Sequence, residues 1–170
     1  FIMSREAQAL EALLVLTVDD PKNEGFGPTK HTTYRITCAY RSDASKTSGC
    51  RKRYSEFVAL RTKLFEELPG VVVPPLPEKQ VMSRFTEEFV EERRDVLEMF
   101  LQQLITHPMA AASELMHAFL QWPDTMRDAV VELAQGFQLP PLPTLASGDP
   151  LKDAAKMLAD FERQGKYIRD

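Results

Sequence analysis

The hydrophobic residues in the first third of the chain are spaced as they are in β-strands. An apolar run at residues 13–18 is closed by the Asp-Asp-Pro sequence at 19–21. Residues 32–40 are rich in β-branched and aromatic side chains, which favour strands. After a polar loop at 42–49, a third short strand is predicted to end at residues 53–54. The pattern therefore predicts an antiparallel meander of three strands.

The hydrophobic period becomes helical from Ser55, which is a suitable N-cap residue. One helical face collects the next apolar side chains, Phe57, Leu60, Leu64, Phe65 and Leu68. Pro69 and Gly70 end this helix. Residues 71–77 must be extended, because each proline in them fixes its own φ angle and biases the preceding residue away from the helical region.

Two further helices are predicted, at residues 86–106, ending before Pro108, and at 111–122. Strands that come first and helices that follow them indicate an α+β domain. We expect this domain to span residues 13–122. Its three-stranded meander would pack against a helical subdomain that includes the proline-rich loop.

The two ends of the chain are expected to lie outside this domain. Residues 1–12 are predicted to be a poorly anchored lead-in with at most a short helical turn. Residues 123–170 are predicted to form a C-terminal helical extension, with a helix at 124–135 and a Pro-rich linker at 138–148. A final helix begins at residues 149–150, and its apolar stripe consists of Leu151, Ala154, Ala155, Leu158 and Phe161.

The charge balance limits the kinds of partner that the chain can bind. The net charge is −4 at pH 7, and the isoelectric point is about 5.5. A protein that binds nucleic acid through its phosphates carries a basic surplus, and indiscriminate adhesion to anionic lipid needs a polybasic patch. We therefore expect no nucleic-acid partner. An anion would be bound by a few concentrated positive charges, for which residues 51–53 and 93–94 are the candidates.

Patterns for catalysis, metal binding or a cofactor are missing from the sequence. Cys38 and Cys50 are too few for a disulfide framework, and we expect two reduced thiols on neighbouring strands that could face each other across a hairpin. His31, His107 and His117 are not spaced as metal ligands. No nucleophile elbow or Gly-rich phosphate loop occurs, so we expect no enzyme and no cofactor. No signal-peptide pattern is present, which predicts a cytoplasmic protein.

The second predicted helix places an arginine among hydrophobic residues. Arg93 lies near the middle of a stripe formed by Phe89, Val96, Leu97, Phe100, Leu101 and Leu104. A guanidinium that points toward a core is unfavourable by several kcal/mol unless an anion pairs with it. The position therefore indicates a structural ion pair, an arginine that extends to solvent, or a ligand site where the helix meets a pocket.

A basic cluster, Arg51, Lys52 and Arg53, stands with Tyr54 where a strand ends and a helix begins. The N-terminus of a helix favours phosphate, and an arginine can hold a phosphate with two hydrogen bonds. The same sequence is also compatible with a solvated basic turn. Farther along, Lys79 follows the stiff proline-rich segment.

These pieces together resemble the signatures of the phox-homology (PX) family, in the same order. Residues 51–57, RKRYSEF, are similar to its basic-Arg-Tyr-Ser-Glu/Asp-Phe motif. Residues 71–79 are similar to its proline-rich loop, and 89–101 with 104–108 to its second signature helix and the end of that helix. The resemblance covers roughly residues 13–122 and is closest to the short sorting nexins that recognise phosphatidylinositol 3-phosphate.

The resemblance implies a role for each matching residue. Arg53 would bind the 3-phosphate, and Tyr54 would stack on the inositol ring. Lys79 would reach the 1-phosphate, and Arg93 would hydrogen-bond the 4- and 5-hydroxyls. The implied function is recruitment to early-endosomal membranes, as a peripheral membrane protein in protein sorting and transport.

The family's membrane-entering segment corresponds to residues 80–88, which are fewer here than in many relatives. Val81, Met82 and Phe85 could enter the bilayer interface, with Arg84 near lipid phosphates. Alternatively, these side chains pack on the domain, in which case membrane affinity would be weak.

A second hypothesis is a protein-interaction module with weak lipid binding. The tetrapeptide PPLP of residues 74–77 recurs at 140–143. The second copy could be a polyproline ligand for a trafficking protein, or it could be part of a linker. The final helix could begin a dimerising region or fold back on the domain.

Overall fold

The structure is a computed structural model that describes residues 4–77 and 85–138. The chain divides into two compact units, Phe1–Phe137 and Gln138–Asp170. Apart from Gln138, the second unit, with the predicted linker and final helix, lies outside the described residues. The elements in chain order are α1 (Arg5–Leu13), β1 (Leu14–Glu24), a 3-10 turn (Gly27–Thr29), β2 (His31–Tyr40), β3 (Asp43–Arg53), α2 (Tyr54–Glu67), α3 (Glu87–Thr106), α4 (Pro108–Ala111), α5 (Glu114–Leu120) and α6 (Asp124–Ala134).

The predicted three-stranded antiparallel meander is confirmed, with strand order β1-β2-β3. Strand β1 continues past Val18 to Glu24, through an irregularity between Asp19 and Lys22. The predicted loop at 42–49 is wrong, because β3 already begins at Asp43. Side chains in this first half of β3 are mostly exposed, so no alternation of apolar and polar residues marks it as a strand.

One face of the sheet carries the core. Val18, Ile36 and Cys50 are paired across the three strands and are all buried. Contacts of α3 with β1, and of α2 and α5 with β3, show that helices pack against the sheet. Phe57 of α2 joins the layers, because its ring lies 5.1 Å from that of Phe119 and 6.5 Å from that of Phe100 between centroids. The α+β class is confirmed.

The ends of the compact unit differ from the prediction. The weak anchoring expected for residues 1–12 is wrong for α1, whose Leu10 is only 1% exposed in the core. Helix α6 confirms the helix predicted at 124–135, and its Met126 and Val130 are buried as well. Helix α1 contacts both α3 and α6. Helices α1 and α6, which flank the predicted 13–122 domain in the chain, therefore pack in the same compact unit as that domain.

The helices of the central part agree with the prediction except at their ends. Helix α3 confirms the helix predicted at 86–106. Helix α2 begins at Tyr54 with Arg53 as its N-cap, so the predicted cap at Ser55 is wrong. Phe65 is 70% exposed and does not join the buried face of α2. The helix predicted at 111–122 is divided into α4 and α5, because Ser113 caps a new helix by accepting a hydrogen bond from the N–H of Met116.

Cys38 and Cys50 are free thiols on the neighbouring strands β2 and β3, as expected, and both are buried. They are diagonal neighbours, since Cys38 is paired with Ser48, and Cys50 with Ile36. Burial raises the pKa of the Cys38 thiol to about 12. Within residues 4–77 and 85–138, no helix has both the length and the apolar character needed to cross a membrane. The same residues contain no His, Cys, Asp and Glu cluster suited to a metal ion.

Candidate functional site

Arg53 stands at the junction where β3 ends and α2 begins. Its backbone N–H donates a hydrogen bond to the carboxylate of Glu56 at 2.8 Å, which fixes the first turn of α2. The side chain is exposed, and among the described residues its guanidinium forms no ion pair. A positive charge is therefore presented to solvent at the N-terminus of a helix, where an anion is favoured.

The other two charges of the basic cluster are already engaged. Arg51 donates to the carboxylate of Asp20 at 2.9 Å and to the backbone carbonyl of the same residue at 2.7 Å. Hydrogen bonding from Lys22, with further help from Arg51, holds the pKa of the Asp20 carboxyl below its usual value. Lys52 forms an ion pair with Glu56 at 3.6 Å. Of the three basic residues in the cluster, Arg53 is therefore the one whose charge is available to bind an anion.

Tyr54 connects the start of α2 to the proline-rich loop. Its hydroxyl donates to the carbonyl of Pro77, and farther along α2 the Nε of Arg61 donates to the carbonyl of Pro74 at 2.9 Å. These two bonds hold the loop along the helix. Between them lies an open groove of about 330 Å³, lined by Tyr54, Val58, Arg61, Thr62, Pro75, Leu76 and Pro77. Lys79 lies outside the described residues.

Arg93 is buried beside two aromatic rings. The side chain is 8% exposed, and its Cζ lies 4.1 Å from the ring centroid of Tyr54 and 4.3 Å from that of Phe89. Both distances are within the range of cation–π attraction. Burial raises the pKa of the neighbouring Tyr34, and the positive charge of Arg93 opposes that rise. The arginine predicted among apolar residues is therefore buried against two aromatic faces.

Two of the four residues proposed for headgroup binding are in contact, since the Tyr54 ring lies against Arg93 of a different helix. A third, Arg53, directly precedes Tyr54 in the chain. Phe89 is a partner of Arg93 that is not among the predicted site residues. Its position four residues before Arg93 is the signal in the sequence, because residues four apart lie on the same helix face.

The proposed membrane-insertion residues are described only in part. Phe85 is half-buried, and the Nζ of Lys30 lies 4.4 Å from its ring centroid. Val81 and Met82 lie outside the described residues, as does Arg84. Phe26, which stands between two glycines in the loop between β1 and β2, is a large apolar side chain that is 92% exposed.

Comparison with known proteins supports the family. The PX domain family model matches residues 40–123. The chain is 37% identical to sorting nexin-3 of Neurospora crassa, over 70% of this chain and 86% of that protein. The chain belongs to the PX-domain sorting nexins. It is also 36% identical to human sorting nexin-30, over 91% of this chain but only 40% of that protein, so it spans less than half of that relative's length.

Solved structures show that the chain has the PX fold. A designed CISK-PX domain, solved by X-ray methods, is 33% identical with a TM-score of 0.55, over 64% of this chain and 99% of that one. The mouse SNX19 PX domain with bound sulphate ion is 23% identical with a TM-score of 0.51, over 65% and 98%, and shows the fold alone. PX-domain sorting nexins as a class are phosphoinositide-binding trafficking proteins found at the periphery of endosomal membranes.

Proposed function

We propose that this PX domain binds phosphatidylinositol 3-phosphate and thereby recruits the protein to early-endosomal membranes for protein sorting. The observation that carries the proposal is the junction of β3, α2 and α3. There an exposed arginine without an ion pair among the described residues, Arg53, adjoins a tyrosine whose ring contacts the buried Arg93. In this role the protein is an adaptor and not an enzyme.

Arg53 binds the 3-phosphate in this proposal. A guanidinium can give two parallel hydrogen bonds to a phosphate, and the positive end of the α2 dipole adds to the attraction. Arg51 and Lys52 already have carboxylate partners at 2.9 and 3.6 Å, so they contribute less. A few concentrated positive charges, rather than a polybasic patch, then account for anion recognition by a protein whose net charge is −4.

Tyr54 and Arg93 recognise the inositol ring. The flat face of Tyr54 packs on the ring, and Arg93 donates hydrogen bonds to its 4- and 5-hydroxyls. Because two aromatic rings hold Arg93 at 4.1 and 4.3 Å, little conformational entropy is lost when it binds. Selection of a lipid phosphorylated at the 3-position then depends on Arg53, which binds that phosphate.

Lys79 binds the 1-phosphate, which joins the headgroup to the glycerol. Lys79 follows Pro77 by two residues in the sequence, and the Tyr54 hydroxyl donates to the carbonyl of Pro77. We also propose that Val81, Met82 and Phe85 enter the bilayer interface, since one headgroup contact seldom gives stable attachment.

Co-sedimentation with vesicles tests the proposal. Vesicles that contain phosphatidylinositol 3-phosphate should bind the protein, whereas vesicles with phosphatidylinositol or its 4-phosphate should bind it weakly. Arg53→Ala should weaken binding by about 2–5 kcal/mol, which is roughly thirtyfold or more. Lys63→Ala is the matched control, because it removes one positive charge from an exposed position on α2. Equal binding by Arg53→Ala and the unchanged protein would refute the site. Absence of binding to every phosphoinositide would favour a protein-interaction module.

A further inference from the structure

Strand β1 lies at an edge of the sheet, and side chains of α3 satisfy its outward backbone groups. The carboxylate of Glu98 accepts a hydrogen bond from the N–H of Val18 at 2.7 Å. The guanidinium of Arg94 donates to the carbonyl of Val18 at 2.9 Å, and the Nε2 of Gln102 donates to the carbonyl of Leu16 at 3.2 Å. We call Arg94, Glu98 and Gln102 the α3 clamp.

The α3 clamp is a continuous row along the helix. Its members are spaced four residues apart, so they share one side of α3. They also contact one another, since Arg94 lies 3.8 Å from Glu98, and the amide of Gln102 lies 3.3 Å from the Glu98 carboxylate. The row therefore substitutes for a neighbouring strand, with directed hydrogen bonds to β1 at two successive outward-facing residues.

The clamp is adjacent to the residue that enters the candidate site. Arg93 precedes Arg94, so the two side chains point about 100° apart around the helix axis. A small rotation of α3 would break the bonds to Val18 and would at the same time move the guanidinium of Arg93 away from Tyr54. Apolar packing of α3 against the core does not prevent such rotation as strongly, because hydrophobic contact is non-directional whereas hydrogen bonds require alignment.

We propose that the α3 clamp is a positioning device for lipid recognition: Glu98 and Gln102 fix the rotation of α3 on β1 and thereby hold Arg93 against Tyr54. The inference rests on the proposed binding of phosphatidylinositol 3-phosphate. Neither residue contacts the headgroup in this account, and both act through Arg93.

Because Glu98 is negatively charged, its replacement distinguishes a positioning role from a purely electrostatic one. Removing a carboxylate from a site that binds an anion raises affinity if only charge matters. A positioning role predicts the opposite, because Glu98→Ala loses the bond to Val18. Glu98→Gln keeps an oxygen that can accept the Val18 N–H, so it should recover part of the affinity that Glu98→Ala loses.

A second pair of variants provides a matched control without any change in charge. Gln102→Ala removes a clamp bond, whereas Gln103→Ala changes the next residue, which is exposed and for which no side-chain hydrogen bond is found in the described part of the chain. The position of Arg93 can be followed by the NMR resonance of its Nε–Hε group. Ring currents from Tyr54 and Phe89 shift that resonance, because both rings lie within 4.3 Å of the Cζ.

The experiment measures the Arg93 Nε–Hε shift without lipid, and affinity for vesicles that contain phosphatidylinositol 3-phosphate. We expect Gln102→Ala and Glu98→Ala to move the resonance toward the position of an exposed arginine and to weaken binding about two- to tenfold, the range expected for loss of one hydrogen bond. Gln103→Ala should change neither quantity. Unchanged Arg93 resonances in both clamp variants, or tighter binding by Glu98→Ala, would overturn the inference. If the unchanged protein does not bind these vesicles, the proposed function is refuted. The Arg93 Nε–Hε shifts measured without lipid still show whether the clamp positions Arg93.

Discussion

The contact between Phe89 and Arg93 leads to a prediction about both stability and binding. Phe89→Leu removes one of the two rings beside Arg93 and leaves an apolar side chain in place. The Cζ of Arg93 lies 4.3 Å from the Phe89 ring, and the arginine is largely shielded from water. A cation–π contact contributes about 0.5–1 kcal/mol when exposed and about 2 kcal/mol when desolvated. Because Phe89 itself is half-buried, we expect a coupling of about 1 kcal/mol between the two residues.

A double-mutant cycle isolates this coupling from the packing that Phe89 also loses. Urea unfolding is measured for Phe89→Leu, Arg93→Met and the double variant, and the deviation from additivity gives the pairwise energy. Phe65→Leu is the matched control, because Phe65 is 70% exposed on α2 and its coupling to Arg93 should be zero. Phe89→Leu should also weaken binding of phosphatidylinositol 3-phosphate about fivefold, since about 1 kcal/mol of preorganisation is lost.

If Phe89→Leu and Arg93→Met change the free energy of unfolding additively, the aromatic face contributes nothing specific to holding the guanidinium. Vesicle binding that Phe89→Leu weakens no more than Phe65→Leu does would likewise contradict the prediction. Either result would mean that Arg93 is positioned independently of the ring that lies 4.3 Å away.

Three further predictions concern the surroundings of the site. Tyr54→Phe keeps the ring but loses the hydrogen bond to Pro77, so it should lower the free energy of unfolding by about 1 kcal/mol and weaken vesicle binding. Tyr40→Phe is its control: it loses a similar hydrogen bond to a carbonyl of α6 and should lower stability alone. Asp20→Asn should remove the negative charge that pairs with Arg51, while the backbone carbonyl at residue 20 still accepts from Arg51. Binding to phosphatidylserine vesicles should rise about fivefold, whether or not phosphatidylinositol 3-phosphate is present. Burial lowers the pKa of His117, so the folded state resists protonation and stability should fall as pH drops below about 6.5. His117→Gln should reduce that dependence in urea unfolding between pH 5 and pH 7.5, and an unchanged slope would contradict it.

The sequence predicts an element well where one face is buried over several turns. Helix α3 has a long apolar stripe, so both its limits and the unusual place of Arg93 can be inferred from spacing. The first half of β3 has no buried face, and only its backbone pairing with β2 makes it a strand. Helix α1 depends on a single buried residue, Leu10, which is too little to form a recognisable pattern.

Within the site, local motifs are predictable and distant contacts are not. Arg53 and Tyr54 belong to one short motif, and Arg93 belongs to another. Serine is a common N-cap, so the sequence predicts a cap at Ser55, whereas the capping interaction observed is that of Glu56 with the backbone of Arg53. The bonds of the α3 clamp join residues that are about 80 positions apart in the chain, and no periodicity along a single element can indicate them.

The central claim is that Arg53, Tyr54 and Arg93 converge on one phosphorylated inositol ring. An NMR titration with a soluble short-chain phosphatidylinositol 3-phosphate tests it most directly, with the Nε–Hε groups of the arginines and the tyrosine rings as probes. We predict that the Arg53, Tyr54 and Arg93 signals shift together and saturate together, and that the lipid lacking the 3-phosphate leaves them in place. Saturable binding that shifts exposed arginines such as Arg35 or Arg41 and leaves Arg53 and Arg93 unchanged would contradict the account.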